Sequence, residues 1–124
     1  MKKILLIISL LTIQLFATPN IKAYAIGIFD RNGDGENIQH LRKTKNDYEG
    51  LCYSKVVVFS KSNITTPQVN IGDSRGHFLK SIPIYNKYKI KIAQEFTFKH
   101  FNITKGYFEV RIDNKLYDSK VFVK

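Results

Sequence analysis

Tryptophan is absent from this 124-residue sequence, cysteine and methionine occur once each, and proline occurs three times. One cysteine cannot form an internal disulfide, so the disulfide framework that supports many small exported domains is excluded. Cys52 stands between Leu51 and Tyr53 in an apolar stretch and reads as a small buried side chain rather than a reactive thiol. Long hydrophobic runs are also missing. The longest, residues 4–16, falls well short of the roughly twenty residues that a bilayer-spanning helix requires. Beyond it no segment keeps a helical period, which removes amphipathic helices from the expected architecture.

The first residues have their own pattern. Lys2 and Lys3 precede the apolar run, which ends at Phe16 before the small residue Ala17 and then Thr18-Pro19. A positive start, an apolar centre and a small residue at the exit are the marks of a cleavable signal peptide, expected over residues 1–17. Cleavage at Ala23 or Ala25 would cut into residues 21–29, which read as a strand. A lipid-anchored form needs a cysteine at the cleavage point, and Cys52 lies far downstream. The expectation is a periplasmic or secreted protein with no transmembrane anchor in its mature form. The remaining residues, 18–124, suit one domain with its own core.

Charge is uneven. The formal net charge of +10 becomes +8 without Lys2 and Lys3. Lys22, Arg31, Arg42, Lys43 and Lys45 balance Asp30, Asp34, Glu36, Asp47 and Glu49 in residues 18–50, so the whole excess lies in residues 51–124. Such a surface favours an acidic protein or an anionic envelope component, though it also serves solubility alone.

What is present is β-branched and aromatic alternation between turn clusters. Strands are expected at residues 21–29, 38–41, 51–59, 68–71, 77–85, 87–93, 95–101, 107–113 and 116–123. Short strands at this spacing predict an all-β fold, a small antiparallel β-sandwich of Ig-like or prealbumin-like type. The alternation is clearest through Lys87-Tyr88-Lys89-Ile90-Lys91-Ile92. On a strand it would set Tyr88, Ile90 and Ile92 on one face and Lys87, Lys89 and Lys91 on the other, with Lys99 continuing the lysine side beyond a bend near residues 93–95.

Two local patterns carry candidate chemistry. In Asp30-Arg31-Asn32-Gly33-Asp34-Gly35-Glu36, oxygen-bearing side chains alternate toward a glycine at the sixth position, as a calcium loop requires. Asp30, Asn32, Asp34 and Glu36 are the expected Ca2+ ligands. Leu41 stands where the helix-loop-helix calcium module needs a glutamate, so that module is excluded, and a plain hairpin turn fits the same residues. The row Lys87, Lys89, Lys91 and Lys99 is the second candidate, either a binding surface for an anionic partner or protection of a sheet edge. No aromatic residue interleaves on that face to stack bases, so nucleic acid is not the expected partner.

His40, His77 and His100 lack metal-ligand spacing, and Asp73, Ser74 and His77 share one glycine-flanked loop. The residue pattern assigns no catalytic group, and the protein reads as a non-enzymatic binding module. The competing readings are a small secreted enzyme or toxin built around His77 or His100, and an inhibitor or immunity protein acting on an envelope enzyme.

Lys55-Val56-Val57-Val58-Phe59, Gly72-Asp73-Ser74-Arg75-Gly76-His77-Phe78, Ile82-Pro83-Ile84 and Tyr88-Lys89-Ile90-Lys91-Ile92 together resemble the carboxypeptidase-regulatory or transthyretin-like sandwich. There a strand is followed by a turn ending Gly-x-Phe, a short Leu-Pro segment and a Tyr-x-Leu-x-Ile strand. Tyr24-Ala25-Ile26, the Asp30 to Gly35 loop and Glu49-Gly50 look like a hairpin of a bacterial exported family of small sandwiches, where it lies late in the domain. Both resemblances imply a binding or adhesive module and supply no catalytic residue.

Overall fold

Alternating burial along β-branched and aromatic runs gives the chain its strands. A computed structural model describes residues 21–60 and 63–124, so the signal peptide expected over residues 1–17 lies outside the described residues. Within them nine strands follow in order: β1 Lys22–Phe29, β2 Gly35–Asn37, β3 Gly50–Phe59, β4 Gln68–Ile71, β5 Ser74–Arg75, β6 His77–Tyr85, β7 Lys91–Ile103, β8 Gly106–Ile112 and β9 Lys115–Val123. No described residue is helical, and no described helix is long and apolar enough to cross a membrane.

The strands form two antiparallel sheets, ordered β2-β1-β3-β7-β6 and β5-β4-β8-β9, that pack as a small β-sandwich. Ala23, Ala25 and Ile28 of β1, Cys52, Val56 and Val58 of β3, and Phe96 and Phe98 of β7 form one inner face. Val69 and Ile71 of β4, Phe108, Val110 and Ile112 of β8, and Val121 and Val123 of β9 form the other. Cys52 is fully buried, and burial alone pushes its thiol up to about 12, as befits an inert core side chain.

The sheet edges are treated differently. β2 and β5 are too short to template another strand. Beside β9, the Phe122 N–H donates to the Arg42 carbonyl at 2.8 Å and the Phe122 carbonyl accepts the Thr44 N–H at 2.9 Å, so residues 42–44 cover that edge. Among the described residues β6 is the long edge left open. Seven of its nine residues are exposed, and both its faces reach solvent. Pro83, which has no N–H to give a ladder, is tolerated because the strand is at an edge.

Three sequence expectations need correction. The strand expected at 38–41 is a turn, because Asn37 Oδ1 captures the Gln39 amide at 2.9 Å and pulls the chain out of the sheet; the strand lies just before it, at β2. The strands expected at 87–93 and 95–101 are one strand, β7, with an extra residue at Ile92 where the register against β6 shifts. Residues 86–90 are a turn. Asn86 Oδ1 accepts the Tyr88 and Ile90 amides at 2.8 and 3.1 Å, and Lys89 takes a left-handed φ of 64°. The segment 88–92, matched above to a family strand, is thus mostly turn.

Candidate functional site

The chain crosses from the β4-β8-β9 sheet to the opposite sheet at Gly76, between β5 and β6. It passes so close to the core that a Cβ on Gly76 would collide with Val69 Cγ2 and sit 3.0 Å from His100 Cε1. This crossing sets Arg75, His77 and Phe78 along one side of a cleft of about 850 Å3, within the usual range of ligand pockets. Gln68 of β4, Arg111 of β8 and the β8–β9 turn residues Asp113 and Asn114 form the other side, with Thr65 and Thr66 entering before β4.

The cleft has an aromatic floor and a cationic rim. Phe78, half exposed, stands edge-on to Phe96 and Phe98 at centroid distances of 6.3 and 6.2 Å, and Phe98 itself is buried. The Arg111 guanidinium is held by Glu109, Nη2 to Oε2 3.3 Å. Arg75 is exposed and makes no side-chain hydrogen bond or ion pair among the described residues. His77 packs edge-on to Phe101 at 5.4 Å and keeps its ring at the rim. Asp113 adds a carboxylate to the lining. Two guanidiniums in reach of one cleft can grip carboxylate or phosphate oxygens in pairs, and the phenyl floor accepts an apolar stem.

Sequence reasoning named none of these as a site except His77. The signal was weak, since Arg75 and Arg111 are 36 positions apart in the sequence and only the sheet pairing brings them to one end.

His100 is sealed. It is fully buried on β7, with Nε2 2.8 Å from Ser54 Oγ and Nδ1 3.4 Å from the Ser74 carbonyl. Burial lowers its pKa to about 4, partly offset by the Ser74 carbonyl and reinforced by His77. Ser54 is also fully buried, so neither side chain of this pair reaches solvent.

The expected calcium loop closes on itself. Asp30 Oδ1 accepts the amides of Asn32 and Asp34 at 2.9 and 3.0 Å, and Asp30 N–H donates to the Asp34 carbonyl. Glu36 turns to residues 45–48 instead: its carboxylate accepts Lys45 N–H at 2.7 Å, Asn46 N–H at 3.0 Å and the Tyr48 hydroxyl at 2.8 Å. Burial acts to raise the Glu36 carboxyl, yet these donors and the Lys45 charge outweigh it and hold the pKa below its ordinary value. Tyr48, buried and donating to Glu36, is pushed up to about 12. Among the described residues no three His, Cys, Asp or Glu side chains gather as an ion would need.

The lysine row is not a strand face. Lys87 and Lys89 lie in the β6–β7 turn, Lys91 opens β7, and Lys99 sits eight residues on, with Nζ 5.0 Å from the Phe101 ring centre and 5.8 Å from that of Tyr53. Tyr88, Ile90 and Ile92, expected on the face opposite the lysines, are 71%, 60% and 38% exposed.

Compared with protein-family models, curated proteins and solved structures, the chain matches none.

Proposed function

We propose that the chain is an exported, non-enzymatic binding module that recognises an acidic protein or an anionic envelope component through the cleft of Arg75, His77 and Arg111. The reading is carried by one observation: Arg75 is exposed at the rim of an aromatic-floored cleft with no internal partner for its charge among the described residues. A guanidinium left free beside an apolar floor is suited to an anion attached to a hydrophobic stem. The excess positive charge of residues 51–124 adds long-range attraction for such a ligand. The leader-like residues 1–17 supply the export element of the proposal.

Isothermal titration with poly-L-glutamate, standing for acidic protein, and with alginate, standing for anionic polysaccharide, tests it. Salt-sensitive binding that Arg75→Glu weakens at least tenfold supports the cleft. Equal binding by Arg75→Glu rules the cleft out as the site.

A further inference from the structure

A second surface lies at the far end of β6, roughly 26 Å from the cleft by the rise of a nine-residue strand. From Ser74 through Gln94 the sequence has no Asp or Glu, while it has Arg75, Lys80, Lys87, Lys89 and Lys91. Seven of the twelve exposed large hydrophobic side chains of the described residues fall in this same stretch. They concentrate toward the hairpin tip, where Tyr85, Tyr88 and Ile90 are 57%, 71% and 60% exposed. Phe59 and Lys22 adjoin Ile90, Lys91 and Ile92 there, and Tyr24 stands edge-on to Phe59 at 6.2 Å. The described chain also enters the fold at this end, through β1.

This tip exposes tyrosine and isoleucine side chains, with lysines interleaved at every second position from 87 to 91. Tyrosine rings favour the headgroup level of a bilayer, apolar tips enter the acyl boundary, and lysines reach anionic headgroups. We infer that the β6–β7 hairpin tip docks on an anionic membrane surface, leaving the cleft at the other end of β6 turned away from the lipid. This goes beyond the cleft reading and does not depend on it.

The absence of tryptophan supplies the assay. In the form beginning at Thr18, which contains all nine strands, Tyr88→Trp places a single tryptophan at the tip, and Tyr107→Trp places one just beyond the opposite end of β7. Unilamellar vesicles of phosphatidylcholine with a quarter phosphatidylglycerol should shift the emission of the Tyr88→Trp variant to the blue and leave that of the Tyr107→Trp variant unchanged. Pure phosphatidylcholine should shift neither. Each lysine at the surface is worth roughly fivefold in partitioning, so Lys87→Gln, Lys89→Gln and Lys91→Gln together should lower it on the order of a hundredfold. Arg75→Glu should lower it far less. Absence of vesicle binding overturns the inference, as does binding that ignores the three lysines. A blue shift that grows with protein concentration without vesicles, accompanied by a dimer in sedimentation, would assign the tip to a second copy and also overturn it.

Discussion

Nε2 of His100 lies 2.8 Å from Ser54 Oγ, with both side chains closed to solvent between the sheets. The Ser74 carbonyl can only accept, so Nδ1 carries the proton and Nε2 accepts from the serine hydroxyl. The imidazole is therefore neutral in the fold. Its pKa of about 4 lies below the ordinary 6.5, so the unfolded chain binds a proton that the folded chain refuses in this window. Stability contributed by the neutral ring is complete above pH 6.5 and is lost as pH falls toward 4, by about 3 kcal/mol in all. Urea unfolding at pH 7, 5.5 and 4 should show this loss, and His100→Gln should flatten much of it.

The same histidine explains why Gly76 is a glycine. Gly76→Ala drives a methyl into Val69 and His100 where the chain crosses between sheets, and should lower stability by about 1–3 kcal/mol in denaturant titration. The cleft rim moves with that crossing, so binding of poly-L-glutamate should weaken in the same variant.

Asp118 of β9 reaches across to β1, where Oδ2 accepts the Ala25 amide at 3.0 Å beside the bulge at Ile26, while Oδ1 accepts Lys120 N–H at 3.3 Å. The bond joins the two sheets on the side away from the cleft. Asp118→Ala leaves a buried amide unsatisfied and should cost about 1–3 kcal/mol. Asp118→Asn, which keeps an acceptor oxygen, should cost less; hydrogen exchange at Ala25 distinguishes the two.

Asp30 Oδ1 is engaged by the Asn32 and Asp34 amides within the loop, and the Glu36 carboxylate by the Lys45 and Asn46 amides and the Tyr48 hydroxyl outside it. Thermal midpoints in excess calcium and in chelator should agree within about a degree, since a ligand at a hundred times its dissociation constant would add about 2.7 kcal/mol. Glu36→Gln, by contrast, should lower the midpoint in both conditions.

Strand positions were largely legible because burial alternates with period two along β1, β3, β8 and β9, and each run is bounded by glycine, asparagine or aspartate. The errors fall where a side chain overrides the pattern. Asn37 and Asn86 each capture a following amide, so residues 38–41 and 86–90 turn although their apolar spacing suits a strand. The Tyr88-Ile90-Ile92 alternation misled most, because the amides that would continue the strand are taken by Asn86, and Lys89 turns left-handed. β5 was missed because two residues carry no period. The lysines were legible as charge and misplaced as geometry. The cleft was not legible, for its two guanidiniums come from β5 and β8 and meet only after the strands pair.

Whether the cleft is where anions bind can be read from backbone amide shifts while poly-L-glutamate is titrated into the form beginning at Thr18. The shifts should concentrate at Gln68, Arg75, His77, Phe78, Arg111 and Asn114, fade with added salt and be largely lost in Arg75→Glu. Shifts confined to the β6–β7 tip or scattered over the lysines of both sheets, with the cleft amides unmoved, would contradict the proposal.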